Sequence, residues 1–151
     1  MRKEIDILRK ARLKMLEKIN ELSLEQLNKV PEGFNNNIIW NMGHLLASQE
    51  SIMYKRSGLA TNIEPSFINA YRNGSRPVAQ VEDTEIAYIK NLMISSLDQI
   101  EIDLEKGLFD NYMPWTVGIG VEINTKDDGL GFLPYHEGLH QSVIQQIARR
   151  V

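Results

Sequence analysis

The chain contains no cysteine. That excludes disulfide staples, thiolate metal ligands and a cysteine nucleophile, so any metal must be held by nitrogen and oxygen. It also lacks any apolar run near the ~20 residues needed to span a bilayer. The charged opening "MRKEIDILRKARLK" has no signal-peptide core. The expectation is a soluble, cytoplasmic protein with no membrane partner. Neither sign of charge is concentrated: 17 basic and 20 acidic side chains, formal net charge -3, are scattered along the chain. A nucleic-acid partner therefore has no electrostatic footprint. What is present, 151 residues of which 42% are hydrophobic, suits a single domain over residues 1–151. A chain of that size removes roughly 70% of its unfolded surface from water.

The apolar residues recur at helical spacing in four segments. Ile5, Leu8, Ala11, Met15, Leu16, Ile19 and Leu22 predict a long amphipathic helix from Ile5 to Leu27, stopped by Pro31 and Gly33. Asn35, Asn36 and Asn37 offer caps for a second helix, about Asn37 to Lys55, with Ile38, Met42, Leu45, Gln49 and Ile52 on one face and Gly58 as its stop. Residues 59–80, with Pro65, Gly74 and Pro77, read as a long irregular crossing. Thr84 opens a third helix through Glu105, ended by Gly107. The stretch "YMPWTVGIGVEIN" reads as irregular or short extended structure. Thr125 and Asp128 are spaced as a capping box for the last helix, which ends in Arg149 and Arg150 near the negative end of its dipole. Four such helices without a convincing sheet predict an all-α, four-helix bundle, a fold whose core can hold metals on side chains from facing helices.

Histidine is scarce: His44, His136 and His140 are all there is. Residues four apart share a helix face, so His136 and His140 can meet one cation. Some pair among three randomly placed histidines falls four apart in about 4% of cases, and the same spacing fits a solvated face or a satisfied core histidine. His44, in "NMGHLLASQE", has the commoner reading of a buried side chain with one hydrogen bond. In a bundle, however, it can lie level with the pair. The segment "YHEGLHQS" has the letters of a zinc-protease helix, but that motif needs a further ligand downstream. Gln146 stands six residues after His140, and none of the eleven residues that follow His140 is His, Glu or Asp. The missing ligand disfavours the protease reading, which peptide cleavage abolished by Glu137→Gln would revive, and leaves His44 as the one histidine able to complete a site.

"NNNIIWNMGHLLASQE" on a second helix combined with "HEGLHQSVIQQI" on a fourth resembles the DinB/YfiT-like superfamily of metal-dependent hydrolases and thiol transferases. The resemblance covers essentially the whole chain. It implies up-down-down-up connectivity, a homodimer and a divalent metal, commonly nickel or zinc, bound by the histidines that here are His44, His136 and His140. Ser142 and Val143 stand where many members carry a Gly-Gln pair. The resemblance also implies a small-molecule substrate and a low-molecular-weight thiol as co-substrate.

Three neutral imidazoles would leave a cation's charge uncompensated and coordination positions open, which describes a Lewis acid. Position alone nominates Trp40, one turn before His44, and Phe132, one turn before His136, as walls of a cofactor or substrate pocket, although aromatics at such spacing are more often core. Glu137 is a candidate general base and equally a partner in a helix–helix hydrogen bond. Gly138 suggests a close approach, since glycine inside a helix costs roughly 1 kcal/mol. Trp115 and Pro114 are candidates to cover the site. The competing reading is a non-catalytic dimeric metal-binding or interaction bundle, of the stress-protein kind.

Overall fold

The computed structural model describes residues 2–151. Its elements are α1 (Lys3–Ile19), α2 (Leu24–Asn28), α3 (Ile38–Met53), a 3-10 turn (Lys55–Ser57), α4 (Pro65–Tyr71), α5 (Asp83–Glu105), β1 (Trp115–Thr116), β2 (Glu122–Ile123) and α6 (Lys126–Ala148). The architecture is all-α apart from one antiparallel ribbon, β1 with β2, in which Trp115 faces Ile123. No helix among the described residues is long and apolar enough to cross a membrane.

The helix expected from Ile5 to Leu27 is two helices. Ser23 caps α2 by accepting the Gln26 N–H at 3.2 Å while Gln26 Oε1 accepts the Ser23 N–H at 2.9 Å. That reciprocal capping box satisfies donors the longer helix would have kept in its own ladder, and the chain turns there. The crossing expected to be irregular carries α4, opened by Pro65 at a position where a missing N–H costs nothing. Other punctuation falls where expected. Asn37 Oδ1 accepts the Trp40 N–H at 2.7 Å to start α3, and Thr125 and Asp128 form the box that starts α6. Arg150 donates to the Gln146 carbonyl at the end of α6.

The expectation that α3 buries a single face is corrected. It is enclosed on nearly every side, with only Ser48 and Ser51 part-exposed. α3 packs on α4, α5 and α6, and α1 packs on α5 and α6. The apolar core forms two clusters. One takes Met15, Leu45, Met93 and Ile144; the other takes Leu8, Met53, Leu97 and Leu133. Along each long helix a buried polar residue separates them: Arg12 on α1, Gln49 on α3, Ser96 on α5 and Glu137 on α6. Arg12 donates through Nε and Nη2 to the two Glu137 oxygens at 3.1 and 2.9 Å, and through Nη1 to the Met93 carbonyl at 2.9 Å. Neither the Gln49 amide nor the Ser96 hydroxyl has a partner among the described residues.

Candidate metal centre

The helical spacing of His136 and His140 sets both rings on one side of α6, and the packing of α6 on α3 brings His44 against them. Ring centroids are 5.2 Å apart for His44 and His136, 4.6 Å for His44 and His140, and 4.7 Å for His136 and His140. One nitrogen from each lies within 4.8 Å of the others. Metal–imidazole bonds of about 2.1 Å separate two nitrogens by roughly 3.4 Å around a tetrahedral ion. Small ring rotations cover the difference, and the nitrogen-only donor set fits a divalent cation.

Two of the rings are oriented by what lies behind them. His44 Nδ1 is 2.8 Å from the Tyr71 carbonyl oxygen, which can only accept, so Nδ1 carries the proton and Nε2 keeps its lone pair. Ser48 Oγ stands 3.2 Å from that Nε2. His140 Nδ1 is 2.8 Å from Asn41 Oδ1. The Asn41 amide is itself set, because its Nδ2 donates to the Asn37 carbonyl at 2.8 Å and leaves Oδ1 as the acceptor for His140 Nδ1–H. Asn37 donates in turn to the Asn28 carbonyl at 2.9 Å. A chain of side-chain amides thus runs from the end of α2 through the cap of α3 to a ring on α6. Such contacts fix tautomer and direction before any ion arrives.

Tyr71 reaches its place because residue 43 has no side chain. A Cβ on Gly43 would lie 2.4 to 2.7 Å from atoms of the Tyr71 ring. Glycine immediately before His44 therefore admits α4, whose final carbonyl receives the His44 proton. The close approach expected at Gly138 is absent: nothing lies within 4 Å of a Cβ built there. The glycine that marks the site is on α3.

Burial and mutual proximity keep the rings neutral. Desolvation lowers His44, against the Tyr71 hydrogen bond. It takes His136 down to about 4 with help from His44, and His140 down to about 3 with help from His136 and His44, opposed by Glu137. Three neutral imidazoles pointed at one spot have lone pairs to offer a cation, which at His44 Nε2 would displace the Ser48 hydroxyl.

The rings stand at the floor of a cleft of about 540 Å³. Trp40 lines it and stacks on His44, centroids 4.8 Å apart and planes 9° from parallel, with its Nε1 donating to Ser75 Oγ at 3.0 Å. Phe132 lines it too and stacks on His136 at 6.1 Å. Trp115 meets Phe132 edge-on at 6.4 Å and is held from behind by the Arg56 guanidinium, 4.7 Å from its ring centroid. Trp40, Phe132 and Trp115 are thus brought together with the histidines, while Pro114 is exposed and lies outside the lining. Both Glu137 oxygens are taken by Arg12, and Gln141 Nε2 donates to Oε1 at 3.1 Å. Glu137 is part of the polar layer inside the core.

Sequence reasoning missed Asn41, Tyr71 and Arg12. The nearest available signals were the asparagine-rich start of α3 and the glycine beside His44. No curated protein sequence matches the chain. A family model does, over residues 7–144, a span that includes all three histidines and every helix just described from α2 to α5. The chain belongs to the DinB superfamily.

Proposed function

We propose that this chain is a metal-dependent enzyme acting on a small molecule, either a hydrolase or a thiol S-transferase, with His44, His136 and His140 as ligands to nickel or zinc. The observation that carries the reading is the convergence of three imidazoles within 4.8 Å at the floor of a cleft. Bound there, a divalent cation supplies Lewis acidity, lowering the pKa of a bound water or holding a thiol as thiolate. The chain's own groups do the rest. Asn41 and the Tyr71 carbonyl aim two of the rings, and Trp40, Phe132 and Trp115 present apolar surface to the substrate. Because the chain has no cysteine, the thiol enters as a co-substrate.

The reading includes an up-down-down-up bundle of α1, α3, α5 and α6. Supporting it, α1 pairs with α6 in parallel through Arg2 with Asp127 and Arg12 with Glu137, and α1 meets α5 antiparallel through Arg12 with Met93 and Arg9 with Asp98. It also includes a homodimer, for which half-exposed Leu13, Tyr135 and Leu139 on α1 and α6 supply apolar surface. The test is metal analysis of protein purified without a histidine tag. About one divalent ion per chain is expected, lost in His140→Ala, with a thiolate-to-metal absorption band when a small thiol is added to the cobalt form. Metal-free protein that stays metal-free when offered nickel, zinc or cobalt overturns the reading.

A further inference from the structure

We infer that the cleft above the histidines takes a small molecule bearing an oxyanion, a carboxylate or a phosphate, and that Arg72 pairs with it. This rests on the metal-centre reading and adds the charge of the substrate. The chain carries 20 acidic side chains against 17 basic ones, yet no Asp or Glu lines the cleft and Arg72 does. A neutral histidine floor, a cation upon it and an exposed guanidinium in its lining give this cleft a positive character on an acidic protein. Low-dielectric walls strengthen that field.

Arg72 is free for the task. The ion pairs among the described residues engage Arg2, Arg9, Lys10, Arg12 and Lys126, and Arg56 and Arg150 lie over aromatic rings. Arg72 is exposed and enters neither set. Its backbone is nonetheless tied to the site. It follows Tyr71, whose carbonyl receives the His44 proton, and its own carbonyl accepts the Ser75 N–H at 3.1 Å and the Ser75 hydroxyl at 2.8 Å. Ser75 in turn accepts from Trp40. The guanidinium therefore stands on backbone that is braced against the cleft wall. Its planar fork suits two-point contact with carboxylate or phosphate oxygens. The ligand that fits has an apolar body against Trp115 and Phe132, a reacting atom toward the histidines, and an oxyanion toward Arg72.

The experiment compares two thiols that differ in charge alone, 3-mercaptopropionate and 3-mercaptopropionamide. Each is titrated into the cobalt-loaded protein and followed by thiolate-to-cobalt absorption. The carboxylate is expected to bind about tenfold more tightly than the amide, a typical return for a charge-assisted hydrogen-bonded contact. Arg72→Gln should erase the part of that preference beyond the cation's own, with the amide's affinity unchanged, and Arg72→Lys should keep some of it. Equal binding of the two thiols by the unaltered protein, or a preference that survives intact in Arg72→Gln, overturns the inference.

A second arm separates this failure from failure of the metal reading. Both tryptophans of the chain line the cleft, so metal-free protein reports occupancy by fluorescence. Benzoate should quench more strongly than benzamide, and Arg72→Gln should equalise them. If cobalt does not bind, this arm decides for Arg72: a benzoate preference lost in the variant sustains the inference, and no preference sinks it.

Discussion

Asn41 on α3 holds His140 on α6 through a 2.8 Å hydrogen bond from imidazole Nδ1 to the amide oxygen. The contact joins the two helices that carry all three imidazoles and selects the tautomer whose Nε2 is free. Losing a partner of this kind typically weakens metal affinity about 10- to 100-fold. Asn41→Ala should therefore bind zinc or nickel that much more weakly in competition with a chromophoric chelator, while keeping the same stoichiometry. Asn41→Asp, which keeps an acceptor for the His140 Nδ1–H but loses the donor to the Asn37 carbonyl, should fall between the alanine variant and the unaltered protein. Equal affinity in all three would mean the ring needs no orienting group.

The Arg12–Glu137 pair calls for a different measurement, because it acts on the fold. The side chains are 1% and 4% exposed. Removing one partner of such a pair typically costs about 3–5 kcal/mol, since the survivor is left charged in the core. Glu137→Gln should lower unfolding free energy in urea by about that amount while the metal stoichiometry is retained. Replacing both at once, Arg12→Met with Glu137→Leu, should recover most of the loss. Glu137→Gln that is stable yet catalytically dead would instead assign the carboxylate to the reaction.

Gly43 couples packing to the metal. A Cβ there would lie 2.4 Å from the Tyr71 ring, so alanine must displace that ring and with it the end of α4. Overpacking of this sort typically costs about 1–3 kcal/mol, and the displaced carbonyl would release His44 Nδ1. Gly43→Ala is expected to lose both thermal stability and metal affinity. Gly138→Ala, with open space around it, should keep its metal and gain slightly in stability from the better helix former.

These contacts also explain what could be read in advance. Caps are local: Asn37 and Thr125 act on residues three positions away, so their spacing was visible. The same kind of signal was present at Ser23 and Gln26, but the apolar period of α1 continues to Leu22 and masks it. The histidine pair was visible because four residues is one turn. Arg12 looked like any solvated base on an amphipathic helix. Its burial depends on a carboxylate 125 positions along the chain, and no periodicity encodes that. Asn41 was hidden the same way, its partner lying 99 positions off. α3 read as one-sided because Asn41 and Glu50 count as polar, whereas both are buried.

Glu50 gives the fold a dependence on pH separable from that of the histidines. Its side chain is 1% exposed and accepts the Asn62 N–H at 2.7 Å. Burial pushes its carboxyl up from 4.5 to about 6; the Asn62 and Ile63 backbone hydrogen bonds oppose this, and the Asp103 carboxylate adds to it. Asp103 is occupied by the Tyr54 hydroxyl at 2.7 Å and the Gln99 amide at 2.9 Å. Because the folded pKa lies above the unfolded one, the fold keeps the Glu50 proton at pH values where the unfolded chain has released it. Its contribution to stability is complete below pH 4.5, falls as pH rises through 6, and above that is a constant penalty of about 2 kcal/mol. The histidines run the opposite way, since their lowered values cost stability as pH falls below 6.5. Glu50→Gln removes only the first effect. The difference in unfolding free energy between Glu50→Gln and the unaltered metal-free protein should therefore grow by about 2 kcal/mol in the variant's favour from pH 4.5 to pH 7. A difference that stays flat across that range would show that the carboxylate ionises normally inside the fold.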